Sequence, residues 1–193
     1  MKLVIIDYNA GNTRSVIHAI NRLGADCVLS DNKDVILAAD KVIFPGVGEA
    51  GFAMDSLRNR NLDKLIPELK QPVLGICLGM QLMCRFSEES NTTCLGIFPM
   101  DVKRFHSEHA KIPHMGWNKT DETKFPLFKK NISDWYYFVH SYYVPVSDYT
   151  NSVCHYILPF SAGIMKNNFF GVQFHPEKSD RAGSEVLESF LKL

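Results

Sequence analysis

No part of this 193-residue chain is apolar for long enough to cross a bilayer. The first apolar run, Leu3 to Ile6, meets Asp7 at once, whereas a membrane helix needs about 20 such residues. Neither an anchor nor a secretory leader is expected, and the expected location is the cytoplasm. Charge of one sign is also missing, since 21 Lys and Arg balance 21 Asp and Glu. A nucleic acid or an anionic membrane would need a basic excess, so neither partner is expected. Cysteine is sparse and unpatterned: Cys27, Cys77, Cys84, Cys94 and Cys154 are odd in number and form no C-x-x-C. That argues against a disulfide framework and against a zinc site. There is no P-loop, no repeat and no Pro/Gly/Ser linker, so residues 1–193 read as one domain. No metal and no cofactor is called for.

What is present is a globular balance of 46% hydrophobic and 22% charged residues. Through the first half, short β-branched runs alternate with amphipathic stretches, the pattern of βα units on a parallel sheet. Strands are expected at Leu3 to Ile6, Cys27 to Leu29, Lys41 to Phe44 and Pro72 to Ile76. Helices are expected at Thr13 to Leu23, Asn32 to Ala39, about 51–70, and Leu78 to Phe86. Beyond Cys94 the texture turns to aromatic, period-two segments such as "WYYFVHSYYV" and "GIMKNNFFGVQFH". These read as antiparallel strands, with Asn167 and Asn168 at a tight hairpin turn and a last helix from Ala182 to Leu193. The expected fold is α/β: a single domain with a central, mostly parallel sheet flanked by helices and antiparallel strands in the C-terminal half.

The stretch "GICLGMQ" places Cys77 between Gly75 and Gly79, after a strand and before a helix. That is the form of a nucleophile elbow with sulfur in place of a serine oxygen, where small flanking residues are needed because neighbouring backbone comes close. A helix starting there also aims its first N–H groups at the sulfur. A buried structural cysteine is the plainer alternative. A thiol nucleophile needs a base, and "GVQFHPEKS" offers His175 with Glu177 two residues on, read as one face of an extended segment. An imidazole whose other nitrogen is held by a carboxylate completes the logic of a triad. "PGVGEAG" satisfies G-x-G-x-x-G literally, but no acid ends the following strand as a dinucleotide site requires; an oxyanion hole beside the thiol is the better use. His106 and His109 flank Glu108 without a third metal ligand at a suitable spacing.

Elbow cysteine, glycine turn and terminal H-x-E, in that order, resemble the class I, triad-type glutamine amidotransferases. "PGVG", "IPHMGWN" and "YFVHSYYV" are similar to the branch whose glutaminase subunits feed a cyclase in histidine biosynthesis. The likeness spans essentially the whole chain. It implies that Cys77 attacks the side-chain amide of L-glutamine, that His175 relays protons and that Glu177 orients His175. It implies an oxyanion hole from Gly46, Val47, Gly48 and Leu78, and substrate contacts from Gln81, Glu89, Ser141 and Tyr142. Glu89 could equally be one more charge in a solvated turn. Asn12, Trp117 and Lys178 match positions facing a partner, while packing is the expected role of His114 and His140. The implied partner is a (β/α)8-barrel cyclase subunit in a heterodimer, because ammonia released to water would be protonated and lost. A paralogous glutaminase serving a cofactor or surface-sugar pathway, or a non-catalytic binding module of the same fold, remain the alternatives at this point.

Overall fold

Strand β1 (Leu3–Ile6) is buried at all four positions, as a strand must be when the sheet is covered on both faces. Leu3 and Ile5 pack into one core, and Val4 and Ile6 into the other, following the two-residue alternation of a strand. The structure, a computed structural model, describes residues 1–121, 126–128 and 135–193. Helix α1 (Thr13–Arg22) turns Val16, Ala19 and Ile20 into the first core. After β2 (Cys27–Ser30), helix α2 (Lys33–Leu37) starts at Asn32, whose side chain accepts from the N–H groups of Asp34 and Val35, the preferred cap chemistry. Strand β3 (Lys41–Gly46) leads to α3 (Ala50–Asn59), α4 (Leu62–Leu65) and a 3-10 turn at Ile66–Glu68. These helices cover the second core.

Strand β4 (Val73–Cys77) passes directly into α5 (Leu78–Leu82). The helix expected to reach Phe86 stops there, and residues 84–87 form β5 (Cys84–Ser87). Helical periodicity loses here because the Cys84–Ser87 backbone finds ladder partners on both sides. Those partners are β6 (Thr92–Thr93) and β7 (Phe98–Arg104). The chain continues through β8 (His114–Asp121), β9 (Trp135–His140), β10 (Tyr142–Tyr143), β11 (Thr150–His155), β12 (Pro159–Lys166) and β13 (Phe169–Val172) to α6 (Asp180–Lys192). Lys166 pairs with Phe169 across a two-residue turn in which Asn167 has φ 54°, as the paired asparagines predict.

Among the described residues, one nine-stranded sheet has the order β2-β1-β3-β4-β13-β12-β11-β8-β9, and a small sheet has the order β10-β7-β5-β6. Pairing is parallel from β2 to β13 and antiparallel from β13 to β9. The α/β expectation with antiparallel strands in the C-terminal half holds. No helix of the described residues is long and apolar enough to cross a membrane.

The two glycines around Cys77 are explained by contact between backbones. A Cβ at Gly79 would lie 1.9 Å from the Phe44 carbonyl oxygen, and one at Gly75 would lie 2.9 Å from the Met80 nitrogen. Helix α5 therefore sits on the strands with nothing between. Neither neighbour at Gly79 is a side chain that could swing away. Gly79→Ala is expected to lower stability by more than ~3 kcal/mol, beyond ordinary overpacking. A urea titration checks it; a loss under ~1 kcal/mol would contradict so close an approach.

Candidate active site

Strand β4 runs parallel to both its neighbours, β3 and β13, so three C-terminal strand ends open at one edge. Such edges are where open α/β sheets bind ligands. Cys77 ends β4, and its register partner Gly46 ends β3. Gln173 and His175 follow the end of β13. Topology alone thus brings together residues that lie about a hundred positions apart.

Cys77 has φ 53° and ψ −110°, a left-handed conformation that costs a non-glycine residue about 1–3 kcal/mol. The bend turns its side chain out of the strand face and toward β9, where Sγ lies 3.9 Å from the Val139 carbonyl oxygen. Gln173 Nε2 donates toward the same sulfur at 3.8 Å. His175 Nδ1 is 2.8 Å from Glu177 Oε1, and both side chains are buried. The pair does not sit in an extended segment as expected: His175 is extended, but Glu177 lies in a 3-10 turn, Pro176–Lys178. The turn folds the carboxylate back under the ring.

Because Nδ1 faces a carboxylate, it carries the proton, and Nε2 is left as the basic nitrogen. Nε2 is buried and meets no hydrogen-bond partner of ordinary geometry among the described residues. Burial, the largest single influence on His175, disfavours its charged form. The Cys77 sulfur, as charge and loose hydrogen-bond partner, and the Glu177 carboxylate outweigh it and raise the pKa to about 10. The imidazole is therefore set to hold a proton taken from the sulfur.

A cavity of about 300 Å³ opens beside this group, with Cys77, Leu78 and His175 in its wall. Val47 and Gly48 line it from the β3 turn, Gln81 and Glu89 from the side of α5 and the 3-10 turn Glu89–Asn91, and residues 139–142 from β9 and β10. Gly46 does not line the cavity; a Cβ there would lie 2.5 Å from the Gly79 nitrogen and 2.9 Å from the Tyr8 hydroxyl. Gln81 spends its amide donors on the Tyr142 carbonyl oxygen at 2.8 Å and on Gln173 Oε1 at 2.9 Å. What it can offer a ligand is its oxygen, an acceptor. Glu89 is half-buried, not solvated: Oε2 accepts from the Ala50 N–H at 2.9 Å, and burial raises its pKa against that bond. Among the described residues no group of three or more His, Cys, Asp or Glu could hold a metal ion. His106, Glu108 and His109 are exposed.

Asn12, Trp117 and Lys178 lie outside the cavity. Asn12 caps α1 by accepting from the Ser15 N–H at 3.4 Å, next to Gly11, which packs on Pro45. Trp117 is exposed, and its ring stands 6.2 Å from that of Tyr137. Lys178 Nζ lies 5.9 Å from the same Tyr137 ring. Three supporting residues escaped sequence reasoning. Gln173 bridges Gln81 to Cys77. Ser179 donates to the His175 carbonyl at 2.6 Å and accepts from the Tyr137 N–H at 2.9 Å. Tyr8 donates to the Pro45 carbonyl at 2.8 Å, fixing the start of "PGVG". Gln173 left a signal, since a lone amide in "FFGVQFH" two residues before His175 shares its face.

A family model for glutamine amidotransferase class-I matches residues 4–193. The chain belongs to the class-I glutamine amidotransferases. The imidazole glycerol phosphate synthase subunit HisH of Bacteroides fragilis is 57% identical over 196 residues, covering all of both chains. The HisH of Escherichia coli K12 is 47% identical over the same span. Among solved structures, PurLQS from Thermotoga maritima superposes with a TM-score of 0.72 at 16% identity, over 99% of this chain and 97% of that one; at that identity the likeness speaks for the fold alone.

Two further histidines of this amidotransferase are buried beside the cavity. Burial lowers the pKa of His114 to about 4. Burial first, and then the charges of His114 and His175, lower that of His140 to about 3 against the pull of the Tyr142 carbonyl. Both stay neutral in the folded chain and take up protons on unfolding. Their contribution to stability is full above about pH 6.5 and is lost as the pH falls toward 4 and 3. His175 behaves oppositely: the Cys77 sulfur and the Glu177 carboxylate favour its protonated form, so it adds nothing to the loss of stability on the acid side. The thermal midpoint is expected to fall between about pH 7 and pH 4.5, and less steeply when both His114 and His140 are leucine. Calorimetry across that range checks it; equal slopes for the two proteins would contradict the assignment.

Proposed function

We infer that this chain is the glutaminase subunit of an imidazole glycerol phosphate synthase, hydrolysing glutamine and passing ammonia to a cyclase subunit in histidine biosynthesis. The observation that carries the reading is the convergence of Cys77 and His175 at the wall of one cavity, with Glu177 buried behind the imidazole. Residues 1–193 act as one domain, in the cytoplasm.

In this mechanism Cys77 Sγ gives its proton to His175 Nε2 and attacks the side-chain carbonyl carbon of glutamine. The oxyanion of the tetrahedral intermediate is held by the Leu78 N–H, first of the new helix and so without an intrahelical acceptor, and by the turn at Val47 and Gly48. Gly46 serves that turn by letting it pack on Gly79. The C–N bond then breaks, His175 returns the proton to the leaving nitrogen, and a glutamyl thioester remains. Water, deprotonated by His175, attacks the thioester carbon; the C–S bond breaks, glutamate leaves, and His175 returns the proton to the sulfur. Glu177 holds Nδ1 throughout, so only Nε2 exchanges protons. The substrate's ammonium meets Glu89 and the Gln81 oxygen, and its carboxylate meets the backbone at Ser141 and Tyr142.

The cyclase, a (β/α)8 barrel, binds on the face that carries Trp117 and Lys178. Met115 and Trp117 from β8 stand beside Val139 and Tyr137 from β9. Met115, Trp117 and Trp135 are exposed, an apolar patch of the kind that marks an interaction site. Val139 belongs to that face and to the cavity wall at once, so ammonia formed at Cys77 arises one residue from the partner. Asn12 adds a contact from the end of α1.

Cys77→Ala is expected to abolish glutaminase activity while leaving the cyclase complex intact, and the lone wild-type chain to hydrolyse glutamine poorly, because we infer that the "PGVG" turn offers the oxyanion an N–H only after its peptide flips in the complex. Steady-state assays with and without the cyclase and its acceptor substrate, beside size-exclusion of the complex, check both. Turnover by the variant, or full activity of the lone chain, would contradict them.

A further inference from the structure

His114 and His140 face one another across the β8–β9 ladder as direct register partners. His114 Nδ1 lies 3.1 Å from His140 Nε2, and His140 Nδ1 lies 2.7 Å from the Tyr142 carbonyl oxygen. At the far end, Asn118 Nδ2 is 3.3 Å from His114 Nε2 and donates to the His155 carbonyl at 2.9 Å. Asn118 Oδ1 accepts from the Lys119 N–H, which settles which end of that amide faces His114.

A single direction of hydrogen bonding follows. The Tyr142 carbonyl can only accept, so His140 Nδ1 bears hydrogen and its Nε2 accepts. His114 Nδ1 must then donate, leaving His114 Nε2 to accept from Asn118. Both rings are neutral, each in one tautomer, and each is walled by aromatic rings: Phe138 and Tyr156 stack on His114, and Phe105 and Phe160 lie against His140. The chain ends on the same oxygen that receives Gln81 Nε2. The Tyr142 carbonyl is thereby gripped from two sides, by His140 from β9 and by Gln81 from α5.

We propose that His140, held by His114 and Asn118, is a positioning residue for the glutamine pocket, fixing the 141–142 backbone and the Gln81 amide for recognition of an α-amino acid. With both Gln81 donors engaged, its oxygen is turned to the substrate's ammonium; if the carbonyl clamp is lost, the amide is free to rotate and the strand end to shift. Neutral imidazoles suit this position because a charged pair would put two donors nose to nose. The proposal rests on the glutaminase reading above and says which residues give that site its shape.

The test separates recognition of the amino acid from reactivity of the thiol. The full chain, co-expressed with its cyclase, is treated either with a diazoketone analogue of glutamine or with iodoacetamide, which lacks the amino-acid groups, and alkylation of Cys77 is followed by mass. His140→Leu is expected to slow diazoketone labelling about ten-fold, the worth of one well-placed hydrogen bond and its ordering, with iodoacetamide little changed. His140→Asn, whose amide can put an N–H where Nδ1 stood, restores the labelling. If His140→Leu does not fold, the double replacement of His114 and His140 by leucine also removes the His114 Nδ1 donor that the single change would strand, leaving only the half-buried Asn118 N–H without its ring partner, and carries the same expectation. Diazoketone labelling of the leucine variant at the wild-type rate would overturn the proposal. So would an equal slowing of both reagents, or an asparagine variant as slow as the leucine one. A wild-type chain alkylated by iodoacetamide but untouched by the diazoketone would instead overturn the glutaminase reading beneath it.

Discussion

Everything at the site depends on how closely α5 lies on β3 and β4. With hydrogen alone at Gly79, the helix backbone approaches the Phe44 carbonyl, and Cys77 takes the left-handed bend that ends the strand. The strain at one residue is held by contacts of many: Leu78, Met80 and Leu82 anchor the helix in one core while Ile76 and Cys77 belong to the other. A thiol placed by packed backbone is held in position, and that rigidity is what the near-attack geometry we propose for it needs. The bend also takes Sγ out of the alternation of β4, so that it faces a strand end rather than the sheet interior.

The second determinant is the neighbour on the other side. β13 is the strand at which the sheet changes from parallel to antiparallel pairing, and it is the last strand of the chain. Its C-terminal end is free to deliver His175 as soon as the strand stops. Ser179 and the His175 N–H to Tyr137 carbonyl bond, 2.9 Å, tie that segment to β9. Tyr137 presents its ring to Trp117 and Lys178. His175 and the exposed apolar face thus share one residue, and in the mechanism we propose glutamine hydrolysis and ammonia transfer fall on the same short piece of strand.

The parts of this arrangement that depend on neighbouring residues were readable in the sequence. Gly75 and Gly79 announce a close approach on either side of a thiol, Asn32 announces a helix start, and Asn167 with Asn168 a two-residue turn. The unread parts arise from pairing at a distance. Residues 84–87 fit a helix until β6 and β7 are seen beside them. His114 and His140 read as packing residues because nothing in a sequence fixes the β8–β9 register that sets them opposite each other, 26 positions apart. Gln173 was visible but without a role, since its meaning lies in Gln81 and Cys77 on other elements. Glu89 shows the same limit: "SEES" looks solvated until the Ala50 N–H is found against it.

The central claim is that the Cys77 sulfur, and no other thiol, carries the acyl group. The direct measurement is to quench the glutamine-hydrolysing complex in acid during turnover and map the modified peptide by mass. A glutamyl adduct on the peptide containing Cys77 is the expected result. Glutamate production with the adduct on Cys84 or Cys94, or with no adduct at any quench time and none on slowing deacylation, would contradict the account.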